Sequence, residues 1–131
     1  MTNLPTAVSV DVPATPEFVQ VLRNVAAGVA ARVDMPIDQI EDVRLAVAEA
    51  ASLLLQETQA TSLRMTIGRD SDTLDVTLMS DGRADTWPTD RVVASWPWLV
   101  VKGLTDDVRA DRGEGAGPSI SFTKGRERVA R

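Results

Sequence analysis

Between residues 38 and 59 the chain carries Ile40, Val43, Val47, Ala50 and Leu54, apolar positions separated by three or four residues throughout. That spacing puts them on one face of a helix of about six turns, longer than most helices of globular proteins. A helix with one such face needs an apolar layer to cover it, so it must lie across a sheet or against other helices. A second stripe, Leu45, Glu49 and Leu53, runs beside the first and sets one carboxylate among leucines.

The flanking segments supply the covering layer. Residues 7–12, Ala-Val-Ser-Val-Asp-Val, alternate apolar and polar side chains and read as a strand ended by Pro13. Thr15-Pro16-Glu17 has the marks of a helix start: a hydroxyl cap, proline in the first turn and an acid at the positive end of the dipole. That helix is expected to reach about residue 33, burying Phe18, Val21, Leu22, Val25, Val29 and Val33, before Asp34-Met35-Pro36 breaks it. Two alternating runs, 62–68 and 74–80, are joined at Asp70-Ser71-Asp72 and predict an antiparallel hairpin. Residues 81–90 read as a loop, 98–105 as a third helix, and 107–110 with 119–123 as a closing strand pair around the tip Gly113-Glu114-Gly115-Ala116-Gly117-Pro118. The tip lacks the Lys-Ser/Thr ending of a phosphate-binding P-loop and opens no helix. The basic tail 124–131 is expected to fray. The sum is an α+β, two-layer α/β sandwich: a mostly antiparallel sheet with helices on one face, one domain over residues 1–131.

Composition removes several chemistries. There is no cysteine and no histidine, so disulfides, thiolate zinc sites and Ser–His or Cys–His hydrolysis are excluded. A net charge of −5 disfavours a nucleic-acid surface. No apolar run reaches the ~18 residues of a membrane span, and the N-terminus has no basic-then-apolar signal pattern, so a cytoplasmic protein is expected. With aromatics at only 4%, Trp87, Trp96 and Trp98 stand out. Two indoles within three residues at a loop-to-helix junction either form a partner-binding knob or fold inward to fill a cavity.

The segment Leu45-Ala46-Val47-Ala48-Glu49-Ala50 resembles the nucleotide-site helix of bacterial anti-sigma factor serine kinases, a branch of the GHKL (Bergerat-type) ATPase superfamily. The resemblance extends over nearly the whole chain and implies the same sandwich. In that family the glutamate matching Glu49 is the general base, and an asparagine four residues on helps hold Mg²⁺. Here that position is Leu53, which offers no oxygen to a hard cation. The family's Asp-x-Gly, whose aspartate accepts from the adenine amino group, aligns on Gly82 and turns the aspartate into Ser80, with Asp81 beside it as a substitute acceptor. Anchored on Leu104-Thr105-Asp106-Asp107-Val108, the family's glycine pair before the last helix becomes Ser95 and Pro97. Glycines there allow close approach to phosphate, whereas proline donates no amide.

The resemblance thus implies a kinase scaffold without the chemistry: a pseudokinase with Glu49 as a vestigial base, needing neither ATP nor Mg²⁺. Its implied role is an anti-sigma factor in transcription and stress-response regulation. Such a protein holds a sigma factor by direct binding, is relieved by a STAS-type anti-anti-sigma protein, and forms a homodimer. An active serine/threonine-protein kinase using ATP and Mg²⁺ is the alternative. Arg23 occupies the place of a family arginine that contacts sigma, although an exposed helical arginine is ordinarily solvated. Arg23, Trp96 and Trp98 are the expected partner-binding residues.

Overall fold

The computed structural model describes residues 8–112 and 117–126. The elements follow the order β1 (Val8–Pro13), α1 (Pro16–Arg32), α2 (Ile37–Glu57), β2 (Ser62–Asp70), β3 (Thr73–Ser80), α3 (Asp90–Val93), α4 (Trp96–Leu104), β4 (Asp107–Arg112) and β5 (Pro118–Gly125). The five strands form one antiparallel sheet in the order β1-β2-β3-β5-β4. Its inner face carries Leu63, Met65 and Ile67 from β2, Leu74, Val76 and Leu78 from β3, and Ile120 and Phe122 from β5, all at most 1% exposed. The opposite face bears Asp11, Arg64, Thr66, Asp75 and Thr77, so the alternation seen in the sequence is the alternation between core and solvent.

The hairpin is tighter than the sequence suggested. β2 and β3 pair from Leu63↔Ser80 to Asp70↔Thr73, leaving Ser71 and Asp72 as the turn, with Ser71 at φ 58°. α2 buries Val43, Ala46, Val47, Ala50, Ala51, Leu53 and Leu54 as its period dictates, while Ile40 lies at the margin.

α1 differs from expectation in which line of residues it buries. Val19, Leu22, Ala26, Ala27 and Ala30 are covered; Phe18, Val25 and Val29 are half-buried, and Val21 is exposed. The stripe is rotated towards the alanines because α1 packs along α2, where small side chains on both helices permit close contact. Thr15 occupies the N-cap but its hydroxyl caps nothing and is buried without a partner. The far end closes as a Schellman motif. Asp34 sits at φ 60°, its amide donates to the Ala31 carbonyl at 3.1 Å, and the Met35 amide donates to that of Ala30 at 3.3 Å.

The C-terminal third departs further. A short helix, α3, was not anticipated; Thr89 caps it by accepting from the Val92 amide at 3.1 Å. α4 begins at Trp96 rather than 98, because Ser95 serves as its N-cap and Pro97 fits its first turn, where no amide is needed. The closing strands are also longer than expected. Lys124 and Gly125 belong to β5 instead of a frayed tail, and Arg126 pairs with Asp72 at 3.3 Å. The tip residues 113–116 and the tail residues 127–131 lie outside the described residues. Among the described residues no helix is long and apolar enough to cross a membrane.

Candidate functional site

Asp42, Glu49, Leu53 and Glu57 fall on one flank of α2, about a quarter turn or more from the core-facing line Val43-Val47-Leu54. α4 lies against this flank. Two cations pin its ends. Arg91, just upstream of α4, donates to Glu57 at 2.6 Å near the C-terminus of α2. Lys124, reaching up from β5, donates to the Leu104 carbonyl at 2.7 Å and to Asp42 at 3.3 Å near its N-terminus. α4 therefore runs antiparallel to α2, and Lys124 meets the negative end of its dipole. Leu53 is 2% exposed and belongs to the core together with Trp98 and Val101 of α4. Glu49, four residues before it, is half-buried, and among the described residues no cation pairs with it.

Ser80 ends β3 with 1% exposure, and its hydroxyl is committed to the protein. The Thr58 hydroxyl lies 2.6 Å from both the Leu54 carbonyl and the Ser80 hydroxyl, while the Gly82 amide lies 2.8 Å from the Ser80 oxygen. Only one proton arrangement satisfies all three bonds. Gly82 N–H donates to Ser80, Ser80 O–H to Thr58, and Thr58 O–H to Leu54. Backbone closes the remaining space. A Cβ on Gly82 would stand 2.6 Å from the Thr58 carbonyl oxygen, and one on Gly117 would stand 1.9 Å from that of Ser80.

Asp81 is occupied elsewhere. Its carboxylate accepts from the Thr61 hydroxyl, from the Thr61 amide at 2.7 Å and from the Ser62 amide at 3.0 Å. These bonds, the Thr61 hydroxyl foremost and then the Ser62 and Thr61 amides, draw its pKa down to about 2. It ties β3 to the start of β2 and is not the substitute acceptor the sequence allowed.

The N-terminus of α4 is capped by Ser95. Ser95 donates its hydroxyl to the Val92 carbonyl at 2.6 Å and accepts from the Trp98 amide at 3.4 Å, and its carbonyl takes the Leu99 amide at 3.1 Å. Pro97 has no amide. The two neighbouring tryptophans part ways, being about 200° apart around a helix. Trp98 is 9% exposed and in the core, whereas Trp96 is 75% exposed. Trp98 is therefore not available as a surface contact. Trp87 packs on the core and donates its indole N–H to the Ser119 carbonyl at 3.1 Å.

Arg23 lies on the opposite side of α2, in a cleft of about 320 Å³ between α1 and α2 lined by Pro16, Val19, Gln20, Ala48, Ser52 and Leu55. Its Nη1 donates to Gln20 at 3.2 Å and its Nε is covered without a partner. The structure thus separates the expected residues into four places: Glu49 and Leu53 on the α4 flank of α2, Ser80 and Gly82 at the end of β3, Ser95, Trp96, Pro97 and Trp98 at the start of α4, and Arg23 in the α1–α2 cleft. Thr58, Glu57, Lys124 and Gly117 carry no local sequence signal. Each acts through a partner at least 20 residues away, or, for Gly117, through a backbone contact with Ser80.

The sequence that builds this sandwich matches a known family. Residues 12–124 match the family model of the histidine kinase-like ATPase domain. The chain belongs to that family. Within it, the chain is similar to the serine-protein kinase RsbW of Bacillus subtilis (strain 168), with 33% identity over 86 residues. The matched region is 63% of this chain and 54% of that protein, so the chain spans about half the length of the curated relative it matches. This histidine kinase-like ATPase fold is therefore of the RsbW-like GHKL type, the α+β sandwich that the helix around Glu49 pointed to.

Proposed function

We propose that this chain is an anti-sigma factor that works by binding alone, a pseudokinase on a GHKL scaffold. The observation that carries the reading is Leu53: four residues after Glu49, where the family places an Mg²⁺-holding asparagine, the side chain is sealed at 2% exposure in the core. ATP–Mg²⁺ does not fit the residues present. Leu53 supplies no oxygen. Ser80 is 1% exposed with its oxygen already accepting from the Gly82 amide, and Ser95 holds the Trp98 amide that the N-terminus of α4 would otherwise offer to phosphate. Each missing charge-assisted contact is worth about 1.5–3 kcal/mol, and losing three moves a micromolar site to millimolar or weaker.

In this reading a sigma factor docks at the α1–α2 cleft, with Arg23 contributing a planar, bidentate donor to a carboxylate across the interface. A STAS-type anti-anti-sigma protein competes for the same surface, the protein acts in the cytoplasm, and it pairs as a homodimer. The acidic charge suits a sigma factor, whose DNA-facing surface is basic. The competing reading is an ATP-using serine/threonine kinase, favoured by the half-buried Glu49, with which no cation pairs among the described residues, and by the activity that the name of the Bacillus relative states.

The experiment pairs two measurements. Binding of purified sigma factors from the host is expected without nucleotide and to weaken roughly thirtyfold in Arg23→Ala, the loss of a well-covered interface arginine. Calorimetric titration with ATP and Mg²⁺ is expected to give no dissociation constant tighter than about 1 mM. A low-micromolar constant, or phosphate transfer to an antagonist that disappears in Glu49→Ala, overturns the proposal.

A further inference from the structure

The α3–α4 strap covers one flank of α2 and turns an apolar face of its own outward. Val93 is 39% exposed, Trp96 75% and Leu99 49%. Trp96 and Leu99 are three residues apart on α4, so they share one side of it, opposite the buried Trp98 and Val101, and Val93 is exposed at the end of α3 just before them. Gly103 follows on the same side with open space around it. An exposed indole beside two aliphatic side chains is an uncommon use of surface.

The charge around this face differs from the rest of the molecule. Residues 83–104 carry three cations against two acids, in a chain of net charge −5. Arg91 is paired with Glu57, but its own side chain stays 78% exposed while the glutamate is 17% exposed, so the guanidinium still faces solvent. Lys102 is exposed on the same helix. The strap is held at both ends by the Arg91 and Lys124 bonds, so its outward face is presented in one arrangement, with little ordering left to lose on binding.

We propose that Val93, Trp96 and Leu99 form a docking ridge for an acidic amphipathic helix of another protein. Its aliphatic side chains cover the indole, and its carboxylates meet Arg91 and Lys102. A second copy of this chain fits less well. A two-fold contact would bring the same cations, Arg91 and Lys102, together across it. The ridge lies on the other side of α2 from the Arg23 cleft, so it stands or falls separately from the anti-sigma reading.

The test is selection of displayed helical peptides of random sequence on the whole chain, with counter-selection on Trp96→Ala. Because Trp96 is exposed, that variant is expected to melt with the wild type. Recovered peptides are expected to carry Leu, Ile or Phe at three- and four-residue spacing and a net negative charge. A representative peptide should lose about thirtyfold in affinity for Trp96→Ala and for Leu99→Asp, and several-fold for Arg91→Glu, and keep its affinity for Arg23→Ala. Enrichment of neutral or basic peptides, peptides that bind Trp96→Ala equally, or no enrichment at all overturns the proposal. So does a concentration-dependent dimer in sedimentation that Trp96→Ala abolishes, since a second copy would then be the occupant. A shift in tryptophan emission with anionic vesicles and none with acidic peptides assigns the ridge to a lipid surface instead.

Discussion

On the resemblance to the anti-sigma kinases, replacing Leu53 by asparagine puts back the expected Mg²⁺-holding residue type, and the structure sets the energetic outcome. Leu53 is 2% exposed among core residues that include Trp98 and Val101. Withdrawing a leucine side chain from such a site forfeits about 1.5–3 kcal/mol of burial. The amide that replaces it needs hydrogen-bond partners, and the nearby hydroxyl chain from Gly82 to Leu54 is already complete, which adds about 1–3 kcal/mol. A loss of about 3–5 kcal/mol is a large share of the 5–15 kcal/mol that holds an ordinary domain folded. At about 2.1 cal/mol/K of unfolding entropy per residue it lowers Tm by roughly 10–18 °C. Leu45→Asn, on the same helix at 42% exposure, serves as the control for helix propensity and is expected to shift Tm by only a few degrees. Thermal unfolding by circular dichroism, with and without ATP–Mg²⁺, reads both variants. The reasoning is refuted if Leu53→Asn melts within about 2 °C of Leu45→Asn, or if ATP–Mg²⁺ raises its Tm, because either result means that the space beside Glu49 is open.

Two further outcomes follow from the same geometry. Lys124→Met removes the cation joining β5 to Asp42 and the end of α4, and is expected to cost about 1–3 kcal/mol; hydrogen exchange should quicken across residues 98–104, and unchanged protection there contradicts the pinning. Asp81 titrates at about 2 when folded against an ordinary 3.8, so its stabilisation is complete above pH 4 and is lost as pH falls from about 4 towards 2. Urea unfolding between pH 2 and 6 should show a shallower acid loss for Asp81→Asn than for the wild type, and parallel curves would mean the Thr61 and Ser62 bonds do not persist in solution.

Much of the scaffold was written locally. The period of α2, the alternation in β1, β2 and β3, and the turn at Ser71-Asp72 are properties of short stretches, because side-chain direction repeats every 3.6 residues in a helix and every two in a strand. The motif around Glu49 was enough to indicate the family, and the same resemblance singles out Leu53, Ser80, Ser95 and Pro97 without any geometry. What those residues do was not local. Ser80 is committed through Thr58, twenty-two residues before it, and Asp81 through Thr61, twenty residues before it. The buried side of α1 moved from valines to alanines because α2 lies against it, and a helix alone does not say which of two adjacent apolar lines will face a neighbour. The tryptophans make the same point: the sequence puts an indole on each of two nearly opposite sides of a helix that begins at Trp96. Only the packing of α4 on α2, held by Arg91 and Lys124, decides that Trp98 enters the core and Trp96 faces solvent. Periodicity fixes angles between side chains on one element, whereas the direction of the core is set by contacts between elements distant in the chain.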